Sequence, residues 1–270
     1  MTSLQALIFD VDGTLAETER DGHRVAFNQA FAAAGLPWHW SEGLYGVLLQ
    51  VAGGKERIHF FIEKYAPPLP VDRDLDQLIV EIHHAKTHYY TALLKAGQVS
   101  LRPGIKRLIN QARRQNVRLA IATTSRLENA LALLETALAP DAPSWFEVIA
   151  AGDIVPRKKP AADIYHYVLD KMALAPQNCL VIEDTEHGLT AAQGAGLTTV
   201  ITVNDYTERQ NFAAAALVLN HLGKPDQPCQ SLSGQPLTQA YFDLSMARSL
   251  VSWSEPPNAS CVVKRLRDGD

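Results

Sequence analysis

Two carboxylates stand at the end of a short apolar segment near the start of the chain. The segment covers residues 4–9, and Asp10 and Asp12 follow it with only Val11 between them. In an extended strand, residues i and i+2 lie on the same side, so both carboxylates can face one small volume. Burying a carboxylate costs several kcal/mol unless the group is paired or binds a metal. The pattern therefore predicts a buried strand with a ligand site at its C-terminal end, as in open α/β sheets.

Composition narrows the class of protein. The chain has 270 residues, of which 47% are hydrophobic and 20% charged, which is typical of one large or two modest globular domains. A formal charge of −4 gives no reason to expect nucleic acid or an anionic membrane as partner. No apolar run is long enough for a transmembrane helix. Cys179, Cys229 and Cys261 are widely spaced, which indicates reduced thiols and a cytoplasmic location.

Hydrophobic periodicity divides the chain into two kinds of sequence. Residues 20–96 follow a helical period, for example at Ala26, Phe27, Ala30 and Phe31. Elsewhere short β-rich runs alternate with helical segments, which predicts a parallel, doubly wound α/β sheet. The predicted strands are residues 4–10, 117–123, 146–150, 179–182, 199–203 and 216–219.

The helical block therefore reads as an all-helical domain inserted after the first strand. We expect a core domain of residues 1–16 and 97–250 and a helical cap domain of residues 17–96. Residues 223–236 are rich in Pro, Gly, Gln and Ser and are predicted to be a loop. Residues 251–270 are predicted to form a loose C-terminal tail.

Polar residues follow four segments of the predicted core. Because the carboxyl ends of parallel strands meet at one edge of the sheet, these side chains are expected to lie together. They are Asp10 and Asp12, Thr123 to Ser125, Lys159, and Glu183 with Asp184.

This set of side chains suits phosphoryl chemistry. Asp10 can attack a phosphorus atom, and Asp12 can protonate the leaving oxygen and later deprotonate water. Asp10 and Asp184 can hold Mg²⁺, a hard cation that prefers carboxylates, water and phosphate oxygens. Thr123 and Lys159 can bind the non-bridging oxygens of the phosphate.

The four motifs, in this order, resemble those of the haloacid dehalogenase-like (HAD) phosphatases. They are residues 10–14 (Asp-Val-Asp-Gly-Thr), Thr123, Lys159-Pro160 and Glu183-Asp184, and the resemblance spans about residues 4–222. It implies a Rossmann-like core with an inserted all-helical cap of the C1 type. It also implies catalysis by Asp10, Asp12, Thr123 and Lys159, with Mg²⁺ held by Asp10, Asp12, Glu183 and Asp184. Lys158 precedes Lys159, which leaves open which of the two lysines enters the site.

Further residues resemble one branch of that family, the CbbY branch. They are residues 16–20, 22–24, 26–28, Trp38 and 53–57. The branch is associated with the Calvin cycle and is similar to xylulose-1,5-bisphosphate phosphatase. The resemblance implies a monomeric enzyme whose partner is a small sugar (bis)phosphate. The implied reaction is hydrolysis of xylulose-1,5-bisphosphate to xylulose 5-phosphate through a phospho-aspartyl intermediate, which would protect Rubisco from an inhibitory sugar.

Residues of the cap, of its junctions and of the segment after the second predicted strand are the candidates for substrate binding. The sequence Gly53-Gly54-Lys55 offers backbone amides and an ammonium at a predicted helix start, which suits an anion. For each of these residues the alternative is an ordinary solvated or linker position. The predicted substrate-binding residues are Glu17, His23, Gly53, Gly54, Lys55, Lys86, Thr124, Ser125 and Arg126.

Two other functions stay open at this point. A sugar-phosphate mutase resembling β-phosphoglucomutase would use the same two aspartates, and no residue distinguishes it from a phosphatase. A non-catalytic receiver-like module that senses phosphate also combines acidic residues, Thr or Ser, and Lys on a doubly wound sheet. Receiver modules lack a helical cap and a second aspartate two residues after the first, which favours an enzyme.

Overall fold

The computed structural model describes residues 3–51, 53–70 and 73–253. Its strands are β1 (Ala6–Phe9), β2 (Arg118–Thr123), β3 (Val148–Ala151), β4 (Cys179–Glu183), β5 (Thr198–Thr202), β6 (Leu217–Leu219) and β7 (Ser231–Gly234). Within the described residues they form one seven-stranded sheet in the order β3-β2-β1-β4-β5-β6-β7. Strands β1 to β6 pair in parallel, and β7 is antiparallel to β6. The predicted parallel α/β core is confirmed.

Helices cover both faces of this sheet. The α-helices of the described residues are α1 (Arg24–Ala33), α2 (Glu42–Leu48), α3 (Gly54–Tyr65), α4 (Leu75–Lys95), α5 (Ile105–Arg114), α6 (Leu127–Leu133), α7 (Asp163–Met172), α8 (Glu186–Gly194) and α9 (Leu244–Trp253). Of these, α5 and α9 cover one face of the sheet, and α7 and α8 cover the other. Successive residues of β1 pack in opposite directions, as the two-residue period of a strand requires. Leu7 and Phe9 join a hydrophobic cluster with α5 and α9. Ala6 and Ile8 join a second cluster with α7 and α8. The central strand is therefore buried on both faces, which is why its sequence is continuously apolar.

Helices α1 to α4 form the insertion between β1 and α5. The chain leaves and re-enters the core at one place, where Ala16 pairs with Leu101 in an isolated bridge. The third hydrophobic cluster takes all its buried members from residues 27–82, with Phe27 and Trp40 among them. This separate cluster supports the division into core and cap, which we propose with the boundaries given above. Ala26 and Tyr90, near the two linkers, pack instead into the core cluster that contains Leu7 and Phe9.

One prediction about the last part of the chain was wrong. Residues 223–236 are not all loop, because Ser231–Gly234 forms the edge strand β7. All four of its residues are exposed, so no alternation of apolar and polar residues marks them. A last helix is also predicted over residues 237–253, and α9 ends at Trp253 with Val251 buried against the core, so the helix extends into the first residues assigned to the tail. The rest of the predicted tail lies outside the described residues.

The remaining bulk predictions concern membranes and thiols. Among the residues that the structure describes, no helix is long and apolar enough to span a membrane. Cys179 and Cys229 are free and buried, and Cys261 lies outside the described residues. The cytoplasmic location and the monomeric state stay predictions.

Candidate active site

Three carboxylates meet at the C-terminal edge of the sheet. Asp10 follows β1, Glu183 ends β4, and Asp184 comes next. Strands β1 and β4 are hydrogen-bonded neighbours in register, so their ends lie side by side. One oxygen from each of the three carboxylates lies within 4.8 Å of the others, and all three residues are buried. The fold thus brings together groups that the sequence places more than 170 residues apart.

Lys159 is the cation that enters this acidic cluster. Its Nζ donates to Asp10 Oδ1 at 2.7 Å, to Glu183 Oε1 at 2.5 Å and to the carbonyl oxygen of Ala122 at 2.8 Å. Lys158 points elsewhere and pairs with the exposed Asp153 at 2.9 Å. The alternative between the two lysines is thereby decided in favour of Lys159.

The acidic cluster holds three carboxyl groups and the single ammonium of Lys159. Burial raises the pKa of Asp10 to about 8, and the charges of Glu183 and Asp12 add to the rise while Lys159 opposes it. Burial, together with the neighbouring Asp10 and Glu183, also raises the pKa of Asp184 well above its ordinary value. Buried carboxylates that are short of positive charge fit a hard divalent cation, which would let them ionise.

Glu183 is already fully engaged by donors from the protein. Its Oε1 accepts from Lys159 and from the Tyr165 hydroxyl at 2.9 Å, and its Oε2 accepts from the Asp184 amide at 3.1 Å. A Cβ at Gly188 would lie 2.0 Å from this carboxylate, so glycine lets α8 approach it. Glu183 thus orients Lys159 through Oε1, and it is also one of the three carboxylates, with Asp10 and Asp184, that lie close enough together to hold a metal.

Asp184 is held between two neutral donors. Thr14 Oγ1 donates to Asp184 Oδ1 at 3.0 Å, and Asn204 Nδ2 donates to Oδ2 at 2.8 Å. Gly13 passes close to the same carboxylate with φ of +79°, and a Cβ there would lie 2.2 Å from Asp184 Oδ2. The glycine of the Asp10–Thr14 motif is therefore needed both for its backbone angle and for space.

Asp12 lies apart from the three clustered carboxylates. It lines the open cleft beside them, and its Oδ1 is buried with no hydrogen-bond partner among the described residues. A carboxylate that is not engaged by protein donors can exchange a proton with a bound ligand or water. The structure therefore gives Asp10 and Asp12 different surroundings, with only Asp10 bonded to Lys159.

Of the predicted site residues after β2, Thr123 is hydrogen-bonded within the protein, whereas Thr124 faces the cleft. Thr123 is buried, and its Oγ1 accepts a hydrogen bond from the Ser125 amide at 3.1 Å. Thr124 is exposed and lines the cleft. Thr124 is thus the residue of this turn that is placed to meet a ligand.

The cleft has a volume of about 570 Å³ and lies between the acidic cluster and the cap. Glu17 and Glu19, at the junction between core and cap, line it together with Leu49 and Gln50 of the cap. Glu17 Oε1 pairs with Nε of the buried Arg102 at 2.7 Å. The predicted site residue Glu17 is therefore fixed in the cleft wall by a core residue.

His23 and Lys86 form a pair near the cleft but outside its lining. Lys86 Nζ and His23 Nδ1 are 2.8 Å apart, and the ammonium lies 5.0 Å from the centre of the Phe27 ring. Burial lowers the pKa of His23 well below its usual value, so the imidazole is neutral and Nδ1 accepts. Burial also lowers the pKa of Lys86 to about 8, although the charges of Glu19 and Asp12 oppose this.

A group of basic side chains, which we call the cation cluster, lies where the cap meets the loop after β2. Its members are Lys55, His83, Lys86 and Arg126. Burial lowers the pKa of His83, and the positive charges of Lys86, Lys55 and Arg126 lower it further, so each of these three cations acts on the His83 ring. Helix α3 begins at Gly54, where a Cβ would lie 2.6 Å from the His83 ring. Beside Gly53 lies the carboxylate of Glu56, close to the amides predicted to bind an anion.

Several residues of the site were missed by the sequence analysis. Glu19 Oε2 accepts from the Tyr45 hydroxyl at 2.6 Å, and Arg57 Nη1 donates to that hydroxyl at 2.9 Å. Glu19 and Arg57 lie inside segments that carry the branch resemblance, which was a usable signal. Asn204 follows the end of β5, and residues after the carboxyl ends of parallel strands are the expected site residues. His83 carried no signal, because only the docking of α3 on α4 places it beside Lys55.

Comparisons with known proteins agree with this geometry. The family model for haloacid dehalogenase-like hydrolases matches residues 4–196. Protein CbbY of Rhodobacter capsulatus is 47% identical over 212 residues, which cover 78% of this chain and 91% of that protein. The crystal structure of CbbY from Rhodobacter sphaeroides in complex with phosphate has 44% identity and a TM-score of 0.69, covering 81% of this chain and 94% of that one. A mutant of the R. sphaeroides protein in complex with xylulose-1,5-bisphosphate has 43% identity, the same TM-score of 0.69 and the same coverage.

Proposed function

Because this chain belongs to the haloacid dehalogenase-like hydrolase family and is a phosphatase, we propose that its substrate is a sugar bisphosphate, xylulose-1,5-bisphosphate, and its product xylulose 5-phosphate. One observation carries the proposal: the site has two centres that suit phosphate, the acidic cluster with Lys159 and the cation cluster on the cap side. A substrate with a phosphate at each end matches this arrangement. The sugar bisphosphate bound to the similar R. sphaeroides protein supports the same substrate.

In the proposed reaction Asp10 is the nucleophile. Its free oxygen attacks the phosphorus, and the bond from phosphorus to the sugar oxygen breaks while Asp12 protonates that oxygen. Asp12 then takes a proton from water as the water attacks the phospho-aspartate, which releases phosphate and restores Asp10. Lys159 opposes the rise that burial causes in the pKa of Asp10. A divalent cation bound beside it would favour the ionised nucleophile further.

We assign Mg²⁺ to Asp10 and Asp184, whose carboxylates meet at the strand ends. When bound, the ion would neutralise charge between these carboxylates and the phosphoryl oxygens. Thr14 and Asn204 hold Asp184 in place for that role. Asp12 stays unengaged, as its part in proton transfer requires.

The second phosphate is assigned to the cation cluster. Lys55 and Arg126 are exposed and Lys86 is half-buried, so these side chains are available to make charge-assisted contacts with a phosphate dianion. Lys86 links the two halves of the site, because its ammonium is close enough to Asp12 for the carboxylate to affect its pKa. Glu17, fixed by Arg102 in the cleft wall, is placed to accept hydrogen bonds from sugar hydroxyls between the two phosphates.

The test is a panel of sugar mono- and bisphosphates assayed for phosphate release with and without Mg²⁺. We expect the highest kcat/KM with xylulose-1,5-bisphosphate and no release in EDTA. A higher value for monophosphates would contradict the substrate class. Following the products by ³¹P NMR separates hydrolysis from isomerisation by a mutase, and any turnover excludes a silent receiver-like module.

A pair of matched variants tests the distal phosphate site. Lys55 at the start of α3 belongs to the cation cluster, and the exposed Lys64 lies near the end of the same helix. Lys55→Ala should raise KM for the bisphosphate severalfold more than for a monophosphate, whereas Lys64→Ala should change neither. Equal effects of Lys55→Ala on both substrates would argue against a phosphate there.

A further inference from the structure

The turn that follows β5 contacts both the acidic cluster and the cap. Asn204 is the first residue of this turn and lines the cleft, and Asp205 and Tyr206 come next. Asn204 bonds Asp184, whereas the two residues after it contact elements of the cap. Three consecutive residues therefore join the carboxylate assigned to the metal with the inserted domain.

The carboxamide of Asn204 is used at both ends. Its Nδ2 donates to Asp184 Oδ2 at 2.8 Å, and its Oδ1 accepts from the Tyr206 amide at 3.0 Å. Thr207 closes the turn, because its Oγ1 accepts a hydrogen bond from the backbone N–H of Asn204 at 3.0 Å. The Asp184 carboxylate can accept only from the NH₂ group of Asn204, and the backbone N–H of Tyr206 can donate only to its oxygen. Both hydrogen bonds therefore require the same orientation of the Asn204 side chain. Moving the carboxylate of Asp184 therefore moves the anchor of the turn.

The next two residues of the turn hold the cap. Arg20 Nη1 donates to Asp205 Oδ2 at 2.9 Å across the junction. The Tyr206 ring lies edge-on to the Tyr45 ring at 5.9 Å and packs with the cap cluster rather than with the core clusters. A Cβ at Gly46 would lie 3.0 Å from the Tyr206 ring, so α2 approaches it as closely as glycine allows. A partly buried aromatic side chain of the core thus packs against the hydrophobic cluster of the cap.

We propose that Asn204 is a positioning residue that couples occupancy of the metal site to docking of the cap. A cation on Asp184 would fix the position of its carboxylate, which accepts a hydrogen bond from the side-chain amide of Asn204. That side chain in turn fixes the turn that presents Asp205 and Tyr206 to the cap. This inference rests on the proposed function only in taking Asp184 as a metal ligand.

The test uses the full chain and magnesium alone. Isothermal titration calorimetry gives Mg²⁺ affinity, and double electron–electron resonance gives the distance between spin labels on cap and core. The labels are attached at Glu63→Cys in α3 of the cap and at Lys171→Cys in α7 of the core, which are both exposed positions. All variants also carry Cys261→Ser, which removes one native thiol that could take a label. Asn211→Ala is the matched control, because Asn211 makes a similar turn bond to the Ala213 amide at 3.1 Å but is exposed.

In the wild type and in Asn211→Ala, Mg²⁺ should narrow the distribution of label distances. Asn204→Ala should bind Mg²⁺ about tenfold more weakly, the usual cost of losing a group that orients a metal ligand. At saturating Mg²⁺ the distribution of label distances in Asn204→Ala should stay broad. Because the coupling is reciprocal, Tyr206→Ala should bind Mg²⁺ more weakly by the factor by which Mg²⁺ favours docking of the cap in the wild type. Its distribution of label distances should stay broad with or without the metal.

Three results would overturn the coupling. They are an unchanged Mg²⁺ affinity in Asn204→Ala, a distribution in Asn204→Ala that narrows at saturating Mg²⁺ as in the wild type, and a wild-type distribution that ignores bound Mg²⁺. Failure of the wild type to bind Mg²⁺ at all would instead refute the proposed cofactor, so the two failures are distinguishable.

Discussion

Replacing Lys159 by methionine removes a buried ammonium while keeping most of the side chain's volume. The Lys159 side chain is only 7% exposed, and its Nζ lies 2.7 Å from Asp10 and 2.5 Å from Glu183. The variant would leave three carboxylates within 4.8 Å of one another without that cation. Removing one partner of a buried ion pair costs about 3–5 kcal/mol of unfolding free energy when the other partner stays charged. We therefore expect a loss of this size for Lys159→Met at pH 8 in metal-free buffer.

The loss should depend on pH in a defined direction. Burial already raises the pKa of Asp10 to about 8, and removing Lys159 takes away the charge that opposes this rise. A carboxyl whose pKa is higher in the folded than in the unfolded state makes stability fall as pH rises from about 4 towards the folded pKa. At pH 5 the acidic cluster can take up protons instead of staying charged, so the loss should be clearly smaller there than at pH 8.

Urea unfolding followed by circular dichroism in EDTA at pH 5 and pH 8 measures both values. Lys158→Met is the matched control, because Lys158 is 51% exposed and pairs with an exposed aspartate, so its removal should cost less than about 0.5 kcal/mol. A loss below about 1 kcal/mol for Lys159→Met at pH 8 would refute the reasoning. So would a loss of equal size at the two pH values.

Three further predictions follow from the same contacts. Asp10→Asn should abolish phosphate release in a colorimetric assay while leaving the Tm within a few degrees, because the amide cannot attack phosphorus; retained turnover would contradict the nucleophile. Arg102→Met should lower the unfolding free energy by about 3 kcal/mol in urea titrations, because the buried guanidinium pairs with Glu17 and donates to the Thr202 carbonyl oxygen at 2.8 Å; a cost below 1 kcal/mol would be inconsistent with that role. Lys86→Met should raise KM for a sugar bisphosphate about tenfold, because one charged contact is lost, and should raise KM for a monophosphate less. Equal changes of KM in steady-state kinetics would exclude a specific role of Lys86 in the distal site.

The acidic cluster could be predicted because it obeys a rule that is local to each strand. Asp10, Glu183 and Asp184 each come at or directly after the end of an apolar run, and the ends of parallel strands meet at one edge. Asn204 obeys the same rule after β5 but escaped notice, since Asn followed by Asp is also an ordinary turn signal. Strand β7 could not be found in this way, because its exposed Ser-Leu-Ser-Gly sequence carries no burial pattern.

The cap shows the limit of sequence periodicity more clearly. Helical spacing predicted helices throughout residues 20–96, because each apolar stripe must be buried somewhere. It did not indicate that Tyr206 of the core packs against the hydrophobic cluster of the cap, or that Gly54 of α3 lies against the His83 ring of α4. These contacts depend on how helices and loops dock, and docking is set by side chains far apart in the chain.

The sequence alone determined the α/β class, the insertion after the first strand and the residue types of the site, because strand and helix periods and strand-end positions are properties of short segments. Only the tertiary structure decided that Lys159 and not Lys158 reaches Asp10, across 149 residues of chain. It likewise decided that Glu183 is engaged by protein donors while Asp12 is not. The physical reason is that hydrogen bonds and charge effects act over a few ångströms, and only packing of the whole chain sets those distances.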